Sequence, residues 1–374
     1  MTRRELLALM ATAPLVRAKE APTAPVSIAR PRSYDGDLTG TLSTMFDQLG
    51  GLGRIVKNKT VTIKVNLTGS PGLRFQGKPL GLTHYTHPKM AAATAYLLER
   101  SGARRVRFVE SCWATSGPLE EYLLDSGWNV RMLFGAAGRV EFVNTNALGK
   151  AKAYSRFTVP GGGSIFPGFD LNPAYHDTDV FMSMAKLKNH ATCGVTLAMK
   201  NCFGITPASI YGDDAGVDEP NETPAQGRGS VCHAGERQPS RSAPQEINPA
   251  SSRHPGYRMP RIVADLASTR PIDIALIDGI ETVTGGEGPW IRGLRSVQPG
   301  VIIAGTNAVT TDTVATAVMG YDPRAKKGSA PFVDCDNTLL LAEARGVGTA
   351  DLKNIEVRGL PIREALFPFP GAKS

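Results

Sequence analysis

The chain has 374 residues and five cysteines, but no two of them form a C-x-x-C pair. It therefore lacks the thiolate spacing of a ferredoxin-type cluster or a zinc ribbon, which argues against an iron-sulfur centre. It also lacks any run near the roughly 18 to 20 apolar residues of a membrane span. No G-x-S-x-G elbow and no H-E-x-x-H helix is present, so serine-hydrolase and zinc-protease mechanisms have no anchor. Pro160 to Gly168 (PGGGSIFPG) lacks the lysine and hydroxyl of a phosphate loop and the spacing of a dinucleotide fingerprint, and reads as turns. Aromatic residues make up only 7% of the chain and are not interleaved with the scattered lysines and arginines, which sets nucleic acid aside.

What remains is an ordinary globular composition, 41% hydrophobic and 20% charged, able to bury a sizeable core. The first residues, Met1-Thr2-Arg3-Arg4-Glu5, precede an apolar run from Leu6 to Val16 and a small-residue site at Val16-Arg17-Ala18. Residues 1–18 thus read as a twin-arginine export leader. That makes the twin-arginine translocase a partner and the periplasm or exterior the destination. Loss of the leader removes three arginines and one glutamate, lowering the formal charge from +8 to +6. So mild an excess favours a small anionic molecule as partner. The cysteines are odd in number, so at least one is unpaired; a Cys193–Cys202 bridge is compatible with the sequence.

Residues 19–58 read as an N-terminal extension and 59–374 as a single α/β domain. TVTIKVNL, Thr60 to Leu67, alternates apolar and polar, predicting a strand with one polar face. HPKMAAATAYLLERSG then predicts a helix, RVRFV a strand, PLEEYLLDSG a helix and RVEFV a strand. DVFMSMAKLK follows as a strand, ATCGVTLAMKNCFG as a helix, and PRIVADLAST, PIDIALIDG and GVIIAG as helix, strand and strand. Such alternation implies a largely parallel or mixed central sheet with helices on both faces. Residues 213–256 hold six prolines, no aromatic residue and only three large aliphatics, so they cannot build a core. They read as a Pro/Ser-rich insertion, with solvent exposure preferred over a lid.

Ligands of parallel sheets bind beyond the carboxyl ends of the strands, so polar residues there are the site candidates. Lys186, Lys188 and His190 alternate ahead of the expected helix. Lys200 follows Thr196 by one helical turn, with Asn201 beside it. This basic cluster suits a phosphate or carboxylate and supplies candidate catalytic groups in Lys186, Lys188, His190 and Lys200. Lys64, Asn66, Glu110, Thr196 and Asn201 are candidate substrate-binding residues. Asp278, Glu287 and Asp312 offer oxygen ligands compatible with a divalent metal, although capping and salt-bridge roles fit each carboxylate singly. His84 and His87 suit turn or cap duty, or a metal-ligand pair. His233 and His254 fall in or near the insertion, a poor platform for a rigid site.

KVN at Lys64–Asn66, THP at Thr86–Pro88, ES at Glu110–Ser111, KLKNHATCGVTLAMKNCFG at Lys186–Gly204, IDGI with GGEGP, and TDTVATAVMG together resemble the domain-of-unknown-function family 362. The resemblance runs from about Lys59 to Gly320. Its shared positions fall on Lys64, Asn66, Glu110, Lys186, Lys188, His190, Lys200, Asn201, Asp278, Glu287 and Asp312. Many members look like iron-sulfur proteins with a ferredoxin module, and this chain departs from them by lacking those cysteines. The expected function is an exported enzyme acting on a small anionic substrate, metal-assisted or not. The alternatives are a periplasmic anion-, metal- or cofactor-binding protein without catalysis, and a redox partner.

Overall fold

The computed structural model describes residues 21–31 and 33–371; the leader, 1–18, lies outside them. Eight strands build the main sheet: β1 (Val26–Ala29), β2 (Thr60–Lys64), β3 (Arg105–Glu110), β4 (Val140–Asn144), β5 (Val180–Lys186), β6 (Ile274–Gly279), β7 (Val301–Gly305) and β8 (Val357–Gly359). Their order is β8-β1-β7-β6-β5-β2-β3-β4. Only the pairs that include β7 are antiparallel. The mixed, mostly parallel sheet expected from the alternating pattern is the one observed.

Helices cover both faces. On one side lie α1 (Leu38–Gln48), α2 (Pro88–Arg100) and α3 (Val130–Ala136); on the other lie α4 (Leu197–Asn201), α5 (Pro255–Thr269), α6 (Ala308–Val318) and α7 (Thr338–Ala344). The strands supply each layer by simple alternation. In β6, Ile274 and Leu276 enter the first core while Ala275 and Ile277 enter the second, which is why its sequence is an almost unbroken apolar run. Local signals set the helix starts. Pro88 occupies the first turn of α2, and the His87 ring accepts from Lys89 N at 3.2 Å. His87 thus has the cap duty read from its position.

Three sequence readings change. Residues from the supposed extension are part of the sheet, because β1 sits between β7 and β8. ATCGVTLAMKNCFG is mostly not helix. It forms a small hairpin, Asn189–His190 against Gly194–Val195, then the five-residue α4 and a 3-10 turn at Cys202–Ile205. Gly194 at φ +74° makes the turn, and Leu197 at φ +46° opens α4, so the backbone breaks twice where composition alone favours a continuous helix. Finally, all five cysteines are buried free thiols, and the Cys193–Cys202 bridge is not formed. Among the described residues no helix is long and apolar enough to cross a membrane.

Candidate functional site

The chain runs from β2 to β3 and β4 on one side, and β5 then returns to the other side of β2. The ends of β2 and β5 therefore frame a topological switch point, where parallel sheets leave a crevice. Lys64 ends β2 on what sequence alternation marks as its polar face, yet the whole strand is buried, because α4 and the following turn cover that face. Its ammonium pairs with Glu110 at 2.7 Å and donates to Val65 O at 2.6 Å and Asn201 Oδ1 at 3.2 Å. Asn201 in turn donates to Lys64 O and Ser183 Oγ and accepts from Asn66 Nδ2 at 3.0 Å. Glu110 also accepts from Leu67 N and Ser111 N, though burial still pushes its carboxyl above the usual range. Four of the five substrate-binding candidates are thus one network, holding α4 against the strand ends.

Lys186 belongs elsewhere. It ends β5 on the opposite face of the sheet from Lys64, where it pairs with Asp278 at 2.8 Å and donates to Tyr34 Oη at 2.8 Å. Tyr34 donates to Asp278 and stacks on His87 with ring centroids 3.6 Å apart. This saturated, buried cluster ties the N-terminal segment to the sheet. Lys188 donates to the carbonyls of His84 and Glu287, at 3.2 and 3.0 Å, and burial lowers its pKa to about 7. The alternation that looked like a triple basic face therefore splits. Of Lys186, Lys188 and His190, only His190 lines the crevice.

That crevice is a cleft of about 790 Å³ whose lining includes Lys64, Asn66, Glu110, His190, Thr196, Lys200, Asn201 and Glu287. Lys200 N bonds to Thr196 O at 3.2 Å, so the expected one-turn spacing does bring the two together. The Lys200 ammonium rests on the Phe203 ring, 4.6 Å from its centroid, with no hydrogen-bond or carboxylate partner among the described residues. Burial pulls its pKa below the ordinary value. The Arg228 guanidinium lies 5.2 Å from the same ring and donates to the carbonyls of Thr206 and Ser111. Glu287 accepts from Ala191 N at 3.1 Å and Trp290 Nε1 at 3.4 Å.

The insertion is not a bland exposed loop. Asp213, Gly227, Arg228, Gly229 and His233 form one wall of the cleft, and Val231 and Cys232 are fully buried behind them. The insertion thus supplies a wall of the cleft and, through Val231, Cys232 and Ala243, a small part of the main core. His233 packs edge-on against Phe203, ring centroids 5.4 Å apart, so the poor platform expected from composition is in fact braced by an aromatic residue.

The proposed metal carboxylates are not brought together. Asp278 is paired with Lys186, Glu287 is in the cleft, and Asp312 accepts from Ala198 N and Met199 N at 2.8 and 2.9 Å. Asp312 thereby fastens the start of α4, and burial raises its carboxyl to about 7. No group of three or more His, Cys, Asp or Glu among the described residues is arranged to hold a metal ion.

Residues 61–317 match the family described as Domain of unknown function (DUF362). The chain belongs to this family. It is also similar to the Thylakoid-associated protein sll1697 of Synechocystis, at 23% identity over 303 residues, 80% of this chain and 75% of that protein. The matched DUF362 segment starts in β2 and ends in α6, and it contains the whole cleft. The strands β1 and β8 lie outside it and pair with each other.

Several cleft residues escaped the sequence reading, namely Trp113, Phe203, Arg228 and Trp290, and His233 was named there but set aside. Phe203 lies within the Lys186–Gly204 motif and Trp290 directly follows GGEGP, so closeness to Lys200–Asn201 and to Glu287 is the available signal. Nothing local marks Arg228, and both it and His233 reach the cleft only through the path of the insertion.

Proposed function

We propose that this protein is exported and that its cleft binds a small anion with an apolar body, on which it acts by proton transfer. The observation that carries this reading is the Lys200 ammonium, partly buried in the cleft without a carboxylate partner. A cation so placed is stabilised by an anionic ligand and is otherwise costly. Arg228, likewise without a carboxylate partner among the described residues, adds to the positive potential. Leu67, Leu73, Trp113, Phe203 and Trp290 give the same cleft apolar walls, the usual make-up of a small-molecule site. His190 supports the proton-transfer part: its ring is at the cleft, and burial followed by the Lys200 charge keeps it neutral. Export is supported by Arg3-Arg4 and the Leu6–Val16 run.

One preparation tests the proposal. Expressed with its own leader, the protein is recovered from the periplasm, and phenylacetate then quenches its tryptophan fluorescence saturably, through Trp113 and Trp290. Lys200→Met weakens that binding about tenfold, the loss of one charge-assisted contact. Recovery only from the cytoplasm removes the export claim. Equal affinity in the variant, or no saturable quenching, removes the anion-site claim.

A further inference from the structure

The two imidazoles of the cleft are held in opposite tautomers by backbone partners. His190 Nδ1 accepts from Thr192 N at 3.1 Å. A ring that accepts at Nδ1 is neutral and carries its proton on Nε2, so His190 presents an N–H donor at its other edge. His233 is the reverse. Its Nδ1 lies 3.2 Å from Arg228 O, which can only accept, so the proton is on Nδ1 and the neutral ring presents a bare Nε2. Neither Nε2 has a hydrogen-bond partner among the described residues, and both rings line the cleft beside Lys200.

The surroundings keep both rings neutral. Burial is the main cause for His190, and the neighbouring Lys200, His233 and Lys188 add to it. Burial, with the Lys200 charge next, brings His233 down to about 4; the hydrogen bond to Arg228 O and the Glu287 charge oppose this, and the Arg228 charge acts in the same sense as Lys200. Phe203 fixes the plane of His233 by meeting it at 87°. The cleft thus holds one neutral donor and one neutral acceptor next to an ammonium. A carboxylate alone, which only accepts, satisfies His190 and Lys200 but leaves His233 without a partner.

A hydroxyl group both donates and accepts. We propose that His190 and His233 together read a hydroxyl on the bound anion, His190 donating to its oxygen and His233 accepting its proton, so that the ligand class is a small hydroxylated carboxylate. The proposal rests on the reading of the cleft as an anion site. It makes His233, in the Pro/Ser-rich insertion, a determinant of specificity, and its bare Nε2 the group that accepts the hydroxyl's hydrogen bond.

The test compares mandelate, which carries a hydroxyl beside its carboxylate, with phenylacetate, which lacks it. Wild-type protein should bind mandelate about tenfold more tightly, the effect of satisfying one buried acceptor, and His233→Ala should bring mandelate down to the affinity of phenylacetate. Equal affinities in the wild type overturn the hydroxyl reading and leave the anion site standing. Binding of neither compound removes the anion site and the ligand class with it. Nitrogen-15 spectra of the unliganded wild type give a readout that does not depend on the variant folding. Between pH 6 and 8 they should show an Nε2–H tautomer for His190 and an Nδ1–H tautomer for His233, and the reverse pattern or a titration in either ring overturns the pairing.

Discussion

At the scale of single residues, the ion pair between Lys64 and Glu110 organises the site more than any other contact. Both side chains are almost fully buried, so each has lost its hydration and is stabilised chiefly by the other and by the surrounding amides. Removing one partner strands the other. Lys64→Met should destabilise the fold by about 3 kcal/mol, the range found for breaking buried pairs. Adding Glu110→Gln to it should recover part of that loss, giving a coupling of about 1 to 3 kcal/mol in a urea-unfolding cycle. Strictly additive single effects would show that the pair is not the unit described. Lys186 and Asp278 form a second such pair on the far side of the sheet. The two lysines closest to the strand ends are therefore structural, and Lys200 is the one whose charge is available to a ligand.

At the scale of elements, α4 and the turn after it bring the cleft together. The helix has only five residues and starts at a strained Leu197, so its own hydrogen bonds do not hold it; Asp312 at its start and Asn201 at its end do. Gly204, in the turn, allows this close approach. A Cβ there would lie 2.7 Å from Glu110 Oε1 and from Lys64 Nζ, atoms that the network leaves no room to move. Gly204→Ala should accordingly destabilise the protein by about 1 to 3 kcal/mol. Gly135 in α3 is the contrast, since its added Cβ meets nothing within 4 Å. Gly135→Ala should stabilise by about 0.5 to 1 kcal/mol through helix propensity and a less flexible unfolded chain. Thermal melts that moved both variants in the same direction would contradict this account.

At the scale of the whole molecule, four of the six histidines have lowered pKa values: the buried His84, His87 and His190 and the half-buried His233. In each case burial is the main cause. The unfolded chain takes up these protons near the ordinary histidine value of about 6.5, whereas folded His87 and His233 resist until about 4. The unfolded state therefore binds more protons in that interval, and folding stability falls as the pH drops through it. Asp312, raised to about 7, and Glu110 act in the opposite sense, because the folded state holds their protons where the unfolded chain has released them. Asp265, also raised by burial, acts with these two, and Lys188, lowered to about 7, acts with the imidazoles; the larger imidazole side leaves a net loss. The midpoint of thermal unfolding should fall steadily from pH 7 to pH 5, and a flat or rising midpoint would refute the assignment of neutral, buried imidazoles.

The sequence by itself determined the fold class and most of its strands and helices, because period-two and helical patterns are local and each element buries its own apolar face. It also determined the family, through motifs spread from Lys64 to Asp312, and it pointed to the strand ends where the cleft lies, since strand ends can be read from where apolar runs stop. The strand order did not follow from the pattern. Neither did the seat of β1 between β7 and β8, because pairing joins residues hundreds of positions apart. Only the tertiary structure decided which basic residues are neutralised. Lys186 and Lys64 read alike in the sequence, yet each is matched by a carboxylate on a neighbouring strand far away in the chain, while Lys200 is matched by none among the described residues. The insertion is the clearest case. Its composition argued against a core of its own, but whether a polar segment is solvated or pressed against a cleft depends on what lies opposite it, and here that is Phe203 and the ends of β2 and β5, with Val231, Cys232 and Ala243 joining the main core.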